Sequence, residues 1–507
     1  MSQTPTLRTP LVALALVLTG CAVPGTAPPE DTGPTGSYTD RWTLQEALRI
    51  PLDKTAQTTI PVIGDWPRGA ETTLPDHHVW DSWPVRNLDN TLAQVRGEDG
   101  RGYYVMIHLS VDDDVLPGKR HDIAELRYSY STDGRSWQPG GLVFPGGSVI
   151  GSRNWAGSAV MTADGRIHVF YTATGDKGET QAALQATPAR ANAADIDAAT
   201  LRGGRLLPQS GSGFPGGGVS FEQRLVTASG PTARVVGGRV VFEGEWQHRV
   251  VVRADGSWYQ TLAQADVGPL YGFRDPWVFR DARDGKLYML FTANVGGTQS
   301  QQRCGPEDLG DAAFRASLGE LPAEAPWYNG AVGLAVADGE NLNSWTLLAP
   351  LLTASCVNQE LERPHFVFRD GRYYLFFSSH IGKFAPVADL RARGAEGLYG
   401  FVGNSLRGDY QPLNSGGLVL NNPHSQPFQA YSYDVLQSGL VTSFIDAPGI
   451  GDQDISVVGN LPPEEQLRVF GGTLARTIRL DLQGDRSQIV GLLGYGQIVE
   501  GAAPAGR

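Results

Sequence analysis

Four times the chain repeats one short pattern: DGRGYYVMIH from Asp99, DGRIHVFYT from Asp164, DGKLYMLFT from Asp284 and DGRYYLFFS from Asp370. In each, an Asp-Gly pair suits the positive φ of a tight turn, and a largely apolar run rich in aromatic and β-branched residues follows. Such a run reads as the second strand of a hairpin, buried in a sheet. Helical periodicity is scarce by comparison, so an all-β chain is expected, with 64 glycines and 33 prolines to supply its turns. Recurrence of one unit over several hundred residues favours a β-propeller, small sheets set around a common axis, with loops of unequal length between blades. A two-sheet sandwich is the alternative, but it accounts less well for 507 residues. The clearest helix is RWTLQEALRI, Arg41 to Ile50, where Thr43 and Glu46 are spaced as a capping box.

The first residues read as a processing signal. Arg8 precedes the apolar run LVALALVL, too short to cross a bilayer, and Leu18-Thr19-Gly20-Cys21 resembles a bacterial lipobox with Cys21 as the lipidated residue. An ordinary secretory signal with an incidental cysteine is the alternative. Either reading places the protein outside the cytoplasm, as a surface or periplasm-facing lipoprotein or a secreted protein, with membrane contact only through lipid on Cys21. The expected organisation is a signal over 1–21, a Pro/Gly/Thr-rich tether over 22–40, a folded β domain over 41–491 and a tail over 492–507. In an oxidising compartment the two remaining cysteines, Cys304 and Cys356, are expected to be joined, with two buried thiols as the alternative. The balance of 53 acidic against 41 basic residues, net −12, argues against a nucleic-acid partner, which would need a basic face.

What precedes each turn is more informative: VWDSWP before Asp99, RNWAGSAV before Asp164, GFRDPWVF before Asp284 and ELERPHFVF before Asp370. If these segments are the first strands of successive units, their starts converge, and Asp81, Asp275 and Glu362 share one pocket. Three carboxyl groups among arginines and tryptophans suit retaining glycosyl transfer, which needs a carboxylate nucleophile and a carboxylic acid roughly 5 Å apart. Glu360 lies two residues from Glu362, on the same face of a strand, where its charge would help keep Glu362 protonated. Tryptophan faces stack on sugar C–H surfaces, and arginines bond hydroxyls and carboxylates.

VWDSWPVRN, WAGSA, FRDP, ELERPHFVF and AYSYDVL, in that order, resemble glycoside hydrolase family 68, the levansucrases and their relatives, from about Arg41 to about Gly491. The resemblance implies a five-bladed β-propeller with a central funnel-shaped pocket. It implies cleavage of sucrose through a covalent fructosyl intermediate and transfer of fructose to fructan, sucrose or water. By motif, Asp81 resembles the nucleophile, Asp275 the transition-state stabiliser and Glu362 the acid/base. Trp80, Trp155, Arg274, Glu360, Arg363 and Tyr431 fall on positions that line the sucrose subsites, and His380 on one that bears on acceptor choice. Two positions depart from common family patterns. Ala156 stands where many members have a serine that supports the nucleophile, and Gln359 stands where calcium-binding members have an aspartate. Members lacking the metal carry a disulfide in that region, so the resemblance implies a Cys304–Cys356 bridge, no calcium and no cofactor. A monomer is expected. A β-fructofuranosidase of the same family is the main alternative, and a non-catalytic fructan-binding lipoprotein a more distant one.

Overall fold

The computed structural model describes residues 39–145, 149–151, 153–174, 222–267, 271–387 and 389–501. The signal with Cys21, all but the end of the tether and the last residues of the tail lie outside the described residues. The chain is all-β with a few short helices. Its strands form antiparallel units of four, in chain order. The first unit is β1 (His77–Arg86), β2 (Gly102–Asp112), β3 (Glu125–Ser131) and β4 (Gln138–Leu142). The second is β5 (Arg153–Met161), β6 (Ile167–Thr174), β7 (Gln223–Ser229) and β8 (Gln247–Val252). The third is β9 (Phe273–Arg280), β10 (Leu287–Asn294), β11 (Asn329–Asp338) and β12 (Asn341–Ser355).

The fourth unit is β13 (Glu362–Arg369), β14 (Arg372–Ser379) and β15 (Gly397–Gly403), with an outer edge split into β16 (Gln411–Pro412) and β17 (Leu418–Asn421). The fifth is β18 (Ala430–Val435), β19 (Leu440–Ile445), β20 (Arg476–Gln483) and β21 (Arg486–Tyr495). Strand β21 thus continues past Gly491, the expected end of the folded domain.

The four Asp-Gly pairs are the turns that lead into second strands, with Gly100, Gly165, Gly285 and Gly371 at φ of 79°, 82°, 73° and 72°. Second strands such as LYMLFTAN are buried along their whole length, because neighbouring units cover both faces. Aromatic rings fill the space between units: Phe273, Phe291 and Tyr259 pack together, as do Phe279, Phe366 and Tyr288. The N-terminal helix is shorter than its pattern suggested. It spans Leu44–Ala47 with the Thr43–Glu46 capping box in place. Arg41 is drawn instead into pairing with Thr353 of β12, Pro51 ends the segment, and Trp42 fills a nest of Phe377, Phe384, Tyr399 and Phe401.

Specific polar bonds tie the units to one another. Strands β1 and β5 pair in parallel through Val85–Ala159 and Arg86–Val160. Arg86 Nη2 donates to both oxygens of Asp434 on β18, at 2.8 and 2.6 Å, with both side chains buried. His365 on β13 donates through Nδ1 to the Arg363 carbonyl, so its Nε2 accepts from the Val435 N–H at 2.8 Å. The last unit is thereby held to the first and to the fourth. Cys304 and Cys356 are joined, with Cα atoms 5.8 Å apart.

Two stability changes are expected. Replacing both Cys304 and Cys356 with serine frees a crosslink that closes 52 residues, and should cost up to about 4 kcal/mol by chain entropy. Arg86→Met leaves Asp434 buried without its cation and should cost about 3–5 kcal/mol. Denaturant midpoints of the purified variants measure both.

Candidate active site

Each of the five first strands breaks register once: between Trp80 and Ser82, Trp155 and Gly157, Arg274 and Trp277, Glu362 and His365, and Tyr431 and Asp434. A bulge leaves a residue unpaired and re-aims its side chain. The residues so displaced include Asp81, Ala156, Asp275, Arg363 and Ser432, and three of them take a positive φ: Asp275 at 62°, Arg363 at 52° and Ser432 at 60°. Pro276 and Pro364 follow two of these positions, where the missing N–H costs no ladder bond.

Arg274 is the hub of the pocket. Its Nη2 lies 2.7 Å from Glu362 Oε1 and 3.2 Å from Glu360 Oε2, and its Nε lies 3.7 Å from Asp275 Oδ2. Burial opposes its charge, but the three carboxyls outweigh that and hold the guanidinium charged beyond its ordinary range. Of these acids only Glu362 is reachable, with its side chain 17% exposed against 4% for Glu360 and 5% for Asp275. Asp275 Oδ2 accepts from Thr292 Oγ1 at 2.9 Å and from the Arg363 N–H at 3.3 Å, and its own N–H donates to Thr172 Oγ1 at 2.9 Å. Burial raises the Asp275 carboxyl, Arg274 opposes, and Asp81 adds to the rise.

The two glutamates are held in different states. Burial, reinforced by the neighbouring Glu360, pushes Glu362 up to about 7 against the pull of Arg274. At Glu360 burial acts in the same direction, but Lys383 (Nζ 3.4 Å away), Arg274 and His380 outweigh it and hold the group down at about 2. Glu362 Oε2 also accepts from Tyr431 OH at 2.5 Å. The strand begins only at Glu362, so Glu360 does not share a strand face with it. The two meet because both turn toward Arg274. Glu360, Glu362 and His380 have donor atoms within 4.8 Å of one another, as a metal site would. The guanidinium of Arg274 and the ammonium of Lys383 already supply the cations there.

Asp81 lies at its bulge beside buried Trp80 and Trp83. The next residue fixes the turn: Ser82 Oγ donates to the Trp80 carbonyl at 2.9 Å and so accepts from His108 Nδ1–H at 2.8 Å. That leaves His108 Nε2 to accept from Ser129 Oγ at 2.8 Å, and burial holds the ring neutral, down at about 3. Arg363 is placed differently from the other motif residues. Its guanidinium reaches Ser432 Oγ at 2.6 Å and the Ser82 carbonyl at 2.9 Å, and it sits over the Trp83 ring. Its side chain thus braces β1 against β18, and only its N–H faces Asp275. Ala156, where a serine is common, has its carbonyl bonded by Thr172, the same hydroxyl that accepts from Asp275.

On the other side, His121 sits edge-on between Trp80 and Trp155, at 5.4 and 6.0 Å, and its carbonyl accepts from Trp155 Nε1. Arg120 lies 5.7 Å from the Trp80 ring and 3.6 Å from Asp446, which burial pushes up to about 6. His380 stacks on Tyr431 with ring centres 3.8 Å apart. Arg120, His121, Lys383, Glu396 and Asp446 belong to none of the sequence motifs: the first three sit on short 3-10 helices, Pro117–Asp122 and Ile381–Lys383, Glu396 precedes β15 and Asp446 follows β19. Gln359 is committed to the protein, its Oε1 accepting from the Asn329 N–H at 3.0 Å.

Glycoside hydrolase family 68, described as Levansucrase/Invertase, matches residues 32–203 and 222–499. The chain belongs to this family. A levansucrase of Rahnella aquatilis is 33% identical over 471 residues, covering 90% of this chain and 95% of that one. Among solved family structures, an inulosucrase from Halalkalicoccus jeotgali bound to kestose is 38% identical with a TM-score of 0.73, covering 91% of this chain and 97% of that one. The full-length β-fructofuranosidase from Microbacterium saccharophilum K-1 is 27% identical with a TM-score of 0.72, covering 93% and 87%.

The pocket's charge arrangement makes a titration prediction. Glu360→Gln removes a like charge beside Glu362 and leaves Arg274 and Lys383 short of a counter-ion, so Glu362 should titrate well below about 7, toward the ordinary carboxyl range. Carboxyl ¹³C shifts of glutamate-labelled protein across pH 4 to 9 measure it.

Proposed function

We propose that this chain is a levansucrase-type fructosyltransferase acting on sucrose with retention, on a five-bladed β-propeller whose first strands line a central pocket. The units of four strands, the bonds that run from the last unit to the first, and the family support the architecture. One observation carries the mechanism: Arg274 gathers Glu362, Glu360 and Asp275, Glu362 is the most accessible of the three, and burial with Glu360 beside it raises Glu362 to about 7 while Lys383 and Arg274 hold Glu360 down.

In this reading the Asp81 carboxylate attacks the anomeric carbon of the fructosyl ring, and the bond to the glucosyl oxygen breaks. Glu362 gives its proton to that oxygen, and glucose leaves. The fructosyl ester on Asp81 is then attacked by an acceptor hydroxyl. Its proton passes to the Glu362 carboxylate, and Asp81 is released with net retention. Asp275, held by Thr292 and the Arg363 N–H, binds fructosyl hydroxyls and stabilises the transition state. Trp80, Trp155, Arg274, Glu360, Tyr431 and His380 shape the sugar subsites, while Arg363 acts by bracing the strands beneath them. The reaction runs without a metal: Gln359 is neutral and spent on Asn329, and a disulfide closes the adjoining loop. Export as a monomeric lipoprotein through Cys21 completes the proposal, and Leu18-Thr19-Gly20-Cys21 supports it.

Hydrolysis is the second reading, favoured by the similarity to a β-fructofuranosidase. Signal-free protein incubated with sucrose should release glucose well in excess of free fructose, the difference being fructose passed to acceptors. Equal amounts would move the assignment to a hydrolase. Asp81→Ala should abolish glucose release, and glucose release in the parent should decline as pH rises through about 7, where Glu362 loses its proton. A parent no more active than Asp81→Ala would end the catalytic reading.

A further inference from the structure

Glu396 precedes β15 and belongs to none of the motifs, yet it is buried against the pocket. Its carboxyl is held at both oxygens. Oε1 accepts from the Ile381 N–H at 3.0 Å, and Oε2 lies 2.6 Å from His380 Nδ1. A carboxylate only accepts, so Nδ1 carries a proton. The His380 ring lies nearly parallel to Tyr431, at 13°. Its other nitrogen, Nε2, is 3.7 Å from Glu362 Oε2 and 3.9 Å from Glu360 Oε1. Without a proton, Nε2 would turn a lone pair toward two carboxyl groups. With one, the same geometry is attractive.

We propose that Glu396 is a positioning residue that clamps His380 over Tyr431 as an imidazolium, a fixed cation facing the carboxyl group that gives and takes the proton. The groups around His380 agree. Glu396, Glu360 and Glu362 face it at the distances above, Tyr431 covers one side of the ring, and Asp446 and His121 both feel its charge. Of the other cations near this end of the pocket, Lys383 lies on Glu360, and Arg274 is shared between Glu360 and Glu362 on the side of Oε1, leaving His380 to face Oε2. Burial opposes a charge on His380, but Glu396 and then Glu362 and Glu360 outweigh it and raise the ring to about 9.

The consequence rests on Glu362 being the acid/base. When its O–H bond breaks, the electron pair stays on the carboxyl and the proton goes to the glycosidic oxygen. The new carboxylate appears beside a cation that is already in place, so little reorganisation accompanies the transfer. As a proton acceptor in the second half-reaction, Glu362 is poised by the same charge. Glu396 touches no substrate in this account and acts through His380.

The test uses the full folded chain labelled with ¹⁵N-histidine, with His380 assigned among the nine histidines by the loss of its signals in His380→Asn. In the parent, both ring nitrogens should show the imidazolium shift up to about pH 8. In Glu396→Gln the ring should lose its proton in or below the ordinary imidazole range, at about 6.5, so that it is largely neutral where Glu362 titrates, and in Glu396→Asp it should stay charged. The alkaline limb of glucose release from sucrose should move to higher pH in Glu396→Gln, because Glu362 loses a neighbouring cation. That is the opposite direction from the Glu360→Gln shift. A neutral His380 ring at pH 7 in the parent, an unchanged titration in Glu396→Gln, or an unmoved limb would overturn the proposal. The nitrogen titration needs no turnover, so a parent that released no glucose would end the proposed activity and leave the state of His380 still measured.

Discussion

The pocket depends on one buried cation. Three carboxyl groups withdrawn from water repel each other and pay for lost solvation, and they can share a site only if charge is supplied among them. Arg274 does this with a planar fork that reaches Glu360, Glu362 and Asp275 at once. Its neighbours then decide which acid keeps its proton. Lys383 stands on Glu360, while Glu362 has a tyrosine hydroxyl and a more open face. Two glutamates of the same chemistry are driven apart by more than either would be in water.

Geometry comes from the bulges. A regular strand would alternate its side chains between two packed faces and send none of them along its axis. A single break in each first strand turns Asp81 and Asp275 out of that alternation, and Pro276 and Pro364 fit where no ladder N–H is wanted. The breaks are fixed from behind rather than left loose. Ser82, His108 and Ser129 form one relay under Asp81, and Thr172 and Thr292 grip Asp275. The Arg363 guanidinium braces two first strands against each other, so this residue of the ELERP motif serves as a structural strut.

Much of this was legible because the repeats carry local signals. Four Asp-Gly turns marked four hairpins, but the fifth unit turns at Ser438-Gly439, where Gly439 has φ 86° and no aspartate announces it. The N-terminal pattern overstated its helix because Arg41 found a better partner in β12 than a helical turn could offer. Asp81, Asp275 and Glu362 were legible as a set because each lies near the head of a repeat. Arg120, His121, His108 and Glu396 were not, since each is a lone polar residue whose importance lies in what it touches across the chain.

The sequence by itself determined the class of unit, the turns that join strands and the chemical identity of the groups near each strand's head. Turn propensity, alternation and residue type act over a few neighbouring residues, so they can be read in order along the chain. Only the tertiary structure decided that Glu360 and Glu362 meet through Arg274 and not on one strand face, that Glu396 reaches His380, and that the Arg363 guanidinium spans Ser82 and Ser432. Those outcomes depend on desolvation and on charge separations of 3 to 4 Å between residues far apart in the chain. No spacing within one segment encodes such distances.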